Sequence, residues 1–144
     1  MCAVVCHQEE LTVEDVPDLE PGRGQVLVKV LRAGICGSDL HARHHSQLTH
    51  DTVKEVGYDD FMTPEDRVVM GHEFVGEVVA YGPQTHRRWP VGTRVVSLPL
   101  VRTEQGLQMT GLTPKAGGGY AEHVLVSEAV TMEVPADVPS TTPR

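Results

Sequence analysis

The chain has 144 residues, 40% of them hydrophobic and 22% charged, which suits one domain with a buried core. Its formal net charge of −8 argues against non-specific nucleic-acid binding, because that activity requires clustered Lys and Arg. No apolar run approaches about 18 residues and the N-terminal one is too short for a signal peptide, so we expect a cytoplasmic protein without a membrane partner.

The three cysteines are Cys2, Cys6 and Cys36. An odd number without a recurrent spacing does not indicate a disulfide framework. The simplest interpretation is free thiols in a reducing compartment, which agrees with a cytoplasmic location.

Short Val-rich segments alternate with Gly and Pro turns along the chain, a pattern that favours strands over helices. We predict one short helix capped by Ser38 or Asp39, and a second over residues 51–57 within the loop-like stretch 44–66. Residues 102–118 are predicted to be irregular. Strands are predicted over residues 2–6, 11–16, 25–32, the second half of 68–82, 93–98, 119–126 and 130–134.

These elements predict a mainly β fold, a barrel or sandwich, with one or two short helices. Residues 1–134 are expected to form the domain, while residues 135–144, rich in Pro, Thr and Ser, are expected to be a linker or disordered tail. No Gly-x-Gly-x-x-Gly pattern follows a predicted strand, so we expect no Rossmann domain in this chain.

Two glycine-rich breaks carry residues of the types that bind zinc. Cys36 follows Gly34 at the end of a predicted strand, and His72 and Glu73 follow Gly71. Thiolate, imidazole and carboxylate are zinc ligands, and a catalytic zinc needs about three of them. Adjacent residues on a strand point to opposite faces, so a turn at Gly71 is needed for both His72 and Glu73 to face one ion. On spacing alone, a core cysteine and a solvated His-Glu turn explain the same residues about as well.

Other polar residues near Cys36 are candidates for supporting roles. Asp39 could accept a hydrogen bond from a ligating histidine, or it could cap a helix. Ser38 and His41 lie close enough in sequence to line the same pocket, where a hydroxyl backed by a histidine could carry a proton to solvent.

A competing metal interpretation rests on a histidine cluster. His41 and His45 are four positions apart on a possible helix, and His44 lies beside them. In such a polar stretch the histidines are more often simply exposed, and adventitious metal binding is a better explanation than a physiological site.

Four motifs occur in the order found in zinc-dependent medium-chain alcohol dehydrogenases, and the chain resembles that family over residues 1–138. They are Gly34–His41 (GICGSDLH), Gly71–Val78 (GHEFVGEV), Val91–Val96 (VGTRVV) and Gly118–Glu122 (GGYAE). Each motif alone is weak evidence, but the four in order are specific.

The resemblance implies an N-terminal catalytic domain with a GroES-like barrel fold. It implies that Cys36 and His72 bind zinc and that Glu73 is a direct or exchanging ligand. By the same pattern Ser38 contacts the substrate oxygen, His41 extends a proton relay and Asp39 supports a ligand. The family reaction is hydride transfer between an alcohol carbon and NAD(P), with zinc as the Lewis acid.

The sequence departs from the family pattern in three ways. It has no cofactor-binding domain, and the fourth zinc ligand, which lies beyond the C-terminal residue in the family pattern, has no equivalent here. Residues 97–117 contain no cysteine, so the four-cysteine structural zinc lobe of many members is absent.

Two functional hypotheses remain at the sequence level. The chain is either the catalytic portion of a zinc-dependent NAD(P)-linked alcohol or polyol dehydrogenase, truncated and inactive alone, or a stand-alone zinc-binding module without catalysis. Its partners are expected to be a small alcohol or carbonyl substrate and a second copy bound through surface left open by missing segments. Four apolar residues of the loop could line a substrate pocket or only pack locally: Leu48, Val53, Phe61 and Met62.

Overall fold

The computed structural model describes residues 1–139, so positions 140–144 of the predicted tail lie outside the described residues. The elements of the described part are β1 (Cys2–His7), β2 (Glu10–Asp15), β3 (Gln25–Ala33), α1 (Gly37–Glu55), β4 (Val68–Val69), β5 (Phe74–Tyr81), β6 (Arg94–Ser97), β7 (Leu100–Thr103), β8 (Gly106–Met109), β9 (His123–Ser127), a 3-10 helix (Glu128–Val130) and β10 (Thr131–Glu133). The mainly β prediction is confirmed.

The strands form three hydrogen-bonded sheets. The largest has the order β10-β6-β5-β3-β9, a second has the order β2-β1-β4, and β7 and β8 form a two-stranded hairpin. An isolated bridge between Ala3 and Ala121 links the second sheet to the segment that precedes β9. Within residues 1–139 the sheets are therefore open and do not form one continuous closed ladder.

Two apolar clusters hold these sheets in place. One consists of valines from four strands of the five-stranded sheet, β3, β5, β6 and β9, and the alternation of residues along a strand points these side chains toward the same face. The other lies under α1 and includes Cys6, Ala42, Phe61, Met62 and Met70. Valine fills the first core because its branched side chain suits a pleated surface.

The helix prediction is wrong in extent. One helix, α1, runs from Gly37 to Glu55 with a kink at His45, so much of the stretch predicted to be loop-like is helical. Its N-cap is Cys36, not Ser38 or Asp39. The helix buries only Asp39, Ala42 and Ser46, so its sequence lacks the apolar period that would have indicated a helix.

The prediction of irregular structure over residues 102–118 is also wrong in part. Strands β7 and β8 form an antiparallel hairpin there, with Gly106 at a φ of 106° after the turn. This region buries Gln108, Thr110 and Thr113 almost completely. Buried polar residues conceal the alternation by which a strand is usually recognised.

Candidate metal centre

The pairing of β3 with β5 brings the two glycine-rich breaks together. The strands are antiparallel, and Ala33 at the end of β3 pairs with Phe74 at the start of β5. The backbone N–H of Gly34 then donates to the carbonyl oxygen of Glu73 at 2.8 Å. The segment leading to Cys36 and the segment containing His72 and Glu73 therefore meet at one end of the sheet.

Three potential ligand atoms converge there. The ligand atoms of Cys36, His72 and Glu73 lie within 4.8 Å of one another, and within residues 1–139 this is the only such group of three. Cys36 and His72 are half-buried, whereas Glu73 is exposed. Sulfur, nitrogen and oxygen donors in this arrangement fit the ligand preferences of zinc.

Glycine backbone geometry makes this convergence possible. Gly71 has a φ of 94°, which turns the chain between β4 and β5 and lets adjacent residues 72 and 73 face the same space. A Cβ at Gly34 would lie 3.0 Å from Oε2 of Glu73, so the absence of a side chain leaves room for that carboxylate.

Asp39 orients the imidazole of His72. Nδ1 of His72 lies 3.0 Å from Oδ1 of Asp39, and both side chains are largely buried. Because an ionised carboxylate only accepts hydrogen bonds, this contact places the proton on Nδ1 and leaves Nε2 free to bind a metal. Oδ2 of Asp39 also accepts the backbone N–H of Cys36 at 3.1 Å, so the same carboxylate supports the start of α1 as the N3 residue of a capping box, although the N-cap itself is Cys36.

Ser38 lies between the ligand atoms of Cys36 and His72. Its Oγ is 3.1 Å from Sγ of Cys36 and 3.2 Å from Nε2 of His72. The hydroxyl is exposed and therefore accessible to a small molecule that approaches these atoms.

The structure does not join His41 to this group. Its exposed ring contacts the ring of His45, with the centroids 4.8 Å apart, and no hydrogen bond between His41 and Ser38 occurs in the described part of the chain. His44 contacts the Glu9 carboxylate at 3.2 Å instead. The histidine cluster thus has two separate sets of neighbours.

The loop residues considered for a substrate pocket divide into two groups. Phe61 and Met62 are buried in the core cluster under α1, and Val53 packs against the same cluster. Leu48 is 65% exposed. The local-packing alternative therefore describes Phe61, Met62 and Val53.

Sequence reasoning missed Tyr120 as a residue of this centre. Its hydroxyl donates to Oδ2 of Asp39 at 2.9 Å and lies 3.1 Å from the carbonyl oxygen of Gly34. Burial, together with the Asp39 carboxylate, raises the pKa of Tyr120 well above its ordinary value of 10.0. The GGYAE motif contained the tyrosine, but a strand pattern gives no indication of where its hydroxyl points.

The mainly antiparallel β fold, with a candidate Cys-His-Glu centre at one sheet end, agrees with the class of protein that the four motifs indicate. Residues 22–136 match the model of the alcohol dehydrogenase GroES-like domain, and the chain belongs to this family. The resemblance inferred from the four motifs and the GroES-like fold class are confirmed.

Known relatives are dehydrogenases of small molecules. The chain is 31% identical to (R,R)-butanediol dehydrogenase of Bacillus subtilis over 92% of its own length and 39% of the relative. It is 49% identical to L-threonine 3-dehydrogenase of Streptomyces avermitilis over 57% of its length and 21% of the relative.

The fold also matches the structure of acetophenone reductase from Geotrichum candidum in complex with NAD. The TM-score is 0.74 and the identity 28%, over 96% of this chain and 41% of the reductase. The chain thus spans about two fifths of the length of the relatives that match most of it. All strand pairings between its described elements are antiparallel, so this part of the chain contains no Rossmann domain.

Proposed function

We propose that this chain is the catalytic domain of a zinc-dependent, NAD(P)-linked dehydrogenase that acts on a small alcohol or polyol. The convergence of Cys36, His72 and Glu73 within 4.8 Å is the observation that carries the proposal. The names of the relatives, which include a butanediol and a threonine dehydrogenase, support a hydroxylated substrate or the corresponding carbonyl compound.

In this proposal Cys36, His72 and Glu73 hold the zinc ion. Bound zinc supplies a Lewis acid that polarises the oxygen of an alcohol or a carbonyl group. Asp39 keeps the His72 ring in the tautomer and orientation that present Nε2. The exposure of Glu73 agrees with a carboxylate that binds directly or exchanges with water.

Ser38 is proposed to contact the substrate oxygen and to accept its proton. Its position beside Cys36 and His72 places a hydroxyl next to any oxygen that approaches the ligand atoms. His41 is proposed to pass the proton to solvent. It lies one helical turn from Ser38 on α1 and is exposed, which suits a group that exchanges protons with water.

The nicotinamide is proposed to bind outside the described residues, which agrees with the fraction of the relatives that the chain covers. The chain alone is therefore expected to be inactive. Self-association and a cytoplasmic location stay predictions. No helix among the described residues is long and apolar enough to cross a membrane.

Metal analysis of the purified chain tests the site. We expect about one zinc per chain, retained in Cys2→Ser and lost in Cys36→Ser. Cys2 is an exposed free cysteine outside the ligand cluster, so the two variants differ in the position of the lost thiol and not in its chemistry. Equal zinc content in both variants would show that Cys36 is not a zinc ligand.

A chimeric enzyme tests the activity. Residues 1–139 would replace the equivalent part of (R,R)-butanediol dehydrogenase of Bacillus subtilis, and NAD(P)H formation from diols and other alcohols would be measured. We expect turnover in the chimera and in its Cys2→Ser variant, and none in its Cys36→Ser variant. A chimera that binds zinc but oxidises no alcohol favours the alternative, a zinc-binding module without catalysis.

A further inference from the structure

One side chain, that of Tyr120, contacts every segment from which the candidate metal centre is built. Its hydroxyl lies near the carbonyl oxygen of Gly34, two residues before Cys36, and donates to Asp39 at the start of α1. Its ring lies against Gly71, next to His72, so closely that a Cβ at Gly71 would be 2.5 Å from Cδ1 of the ring. Tyr120 thus spans both ligand-bearing breaks.

The backbone around Tyr120 reinforces this contact. The backbone N–H of Tyr120 donates to the carbonyl oxygen of Met70 at 2.9 Å. The backbone N–H of Gly119 donates to the carbonyl oxygen of Gly71 at 2.7 Å. These main-chain hydrogen bonds hold the backbone that carries the ring against residues 70 and 71. The hydroxyl of Tyr120 then connects residues 70 and 71 to Asp39.

The Asp39 carboxylate receives three donors. Oδ1 accepts from Nδ1 of His72, while Oδ2 accepts from the N–H of Cys36 and from the hydroxyl of Tyr120. At 2.9 Å the tyrosine contact is the shortest of the three. A carboxylate held from both sides cannot rotate away from His72 without breaking a partly buried hydrogen bond.

The ring and the hydroxyl have separable roles. The ring packs against the apolar cluster under α1, and a phenylalanine would do the same. Within residues 1–139 the hydroxyl makes hydrogen bonds only with Asp39 and Gly34. Replacing Tyr120 by Phe therefore removes the polar function and keeps the packing.

We propose that Tyr120 is a positioning residue of the metal centre, whose hydroxyl holds Asp39 so that Asp39 can aim Nε2 of His72 at the metal. This inference rests on the proposed zinc site. Residues that support a ligand in this indirect way typically change metal affinity by roughly 10-fold to 100-fold, and we expect a loss of about 10-fold for Tyr120→Phe.

The test measures zinc affinity by chelator competition and the visible absorption of the Co²⁺-substituted chain. Tyr58→Phe is the matched control, because Tyr58 packs against the same apolar cluster and its hydroxyl bonds to Gln108 and Met109, away from the ligands. We expect Tyr120→Phe to weaken zinc about 10-fold and to change the Co²⁺ spectrum, while Tyr58→Phe leaves both as in the unsubstituted chain. Adding Tyr120→Phe to Asp39→Asn is expected to cost no further affinity, because the hydroxyl acts through the carboxylate.

The outcomes separate this inference from the function on which it rests. Wild-type affinity and spectrum in Tyr120→Phe would overturn the positioning role while leaving the zinc site in place. Equal losses in Tyr120→Phe and Tyr58→Phe would also overturn it, because the effect would then be general loosening of the core. A failure of the zinc site itself appears first as equal binding by the Cys2→Ser and Cys36→Ser variants.

Discussion

Two polar clusters of this domain contrast in how their groups are satisfied. In the candidate metal centre, Sγ of Cys36, Nε2 of His72 and the Glu73 carboxylate converge on one space. In the second cluster, here called the hairpin network, Tyr58, Asp60, Gln108 and Lys115 bond to one another. There Nε2 of Gln108 donates to Asp60 at 2.9 Å, Oε1 of Gln108 accepts from Tyr58, and Lys115 pairs with Asp60.

The ligand atoms of the first cluster converge on one space that suits a metal ion, whereas the groups of the hairpin network are satisfied by one another. Two members of the hairpin network, Gln108 and Lys115, lie within the cysteine-free residues 97–117, and the network contains no thiol. The Gln108 amide and the Asp60 carboxylate connect the β7–β8 hairpin to the loop after α1 by a direct hydrogen bond. We therefore expect zinc binding to depend on the first cluster and not on the hairpin network. Four substitutions test this difference.

The largest effect is expected for Gly71→Ala. A Cβ there would lie 2.5 Å from the Tyr120 ring, and φ is 94°, so steric overlap adds to backbone strain. We expect a loss of about 3 kcal/mol in the free energy of unfolding, together with weaker zinc binding. Urea denaturation and chelator competition measure the two quantities.

Gly57→Ala is the control for that substitution. Gly57 has a similar φ of 91°, but a Cβ there would meet nothing within 4 Å. We expect a loss of about 1 kcal/mol from backbone strain alone, with unchanged zinc affinity. Equal losses in the two variants would mean that the Tyr120 contact does not constrain the metal centre.

The second effect is stabilisation by zinc itself. A ligand that binds only the folded state stabilises it by about 2.7 kcal/mol when its free concentration is 100-fold above Kd. We expect this increment in the unsubstituted chain and none in His72→Ala, measured by urea denaturation with buffered zinc. An undiminished increment in His72→Ala would place the metal elsewhere.

The third effect belongs to the hairpin network. Gln108 is 1% exposed, so Gln108→Ala leaves a cavity and deprives Tyr58 and Asp60 of a partner. We expect a loss of about 2 kcal/mol in unfolding free energy and a zinc affinity within twofold (roughly 0.4 kcal/mol) of the unsubstituted chain. Gln105→Ala, at an exposed position of the same hairpin, should change stability by less than about 0.5 kcal/mol. A loss of zinc affinity in Gln108→Ala would show that the two clusters are energetically coupled.

The sequence predicted different parts of the molecule for different physical reasons. Valine alternation and glycine turns predict most strands because backbone preference and burial act locally. The meeting of Cys36 with His72 and Glu73 depends on the register of β3 against β5, which no local pattern encodes, and only the order of the motifs indicated it. Tyr120 could not be assigned because its partner Asp39 lies 81 positions earlier in the chain. Sequence reasoning missed the hairpin network because glutamine is usually a surface residue, whereas Gln108 is buried.

The smallest effect is expected for Lys115→Met, which removes an ion pair at the edge of the hairpin network. Hydrogen bonding to Lys115 and then to Gln108 lowers the pKa of Asp60 below its ordinary value of 3.8. A lowered pKa means that the ion pair stabilises the fold above that value and that the contribution disappears as the pH falls through the folded-state pKa. Both side chains are partly exposed, so we expect a loss of only about 0.5 kcal/mol at pH 7, smaller at high salt and absent in acid below the folded-state pKa. Denaturation of Lys115→Met and of the exposed-lysine control Lys29→Met across this pH range measures it, and an effect that persists in acid would show that Lys115 acts through packing and not through its charge.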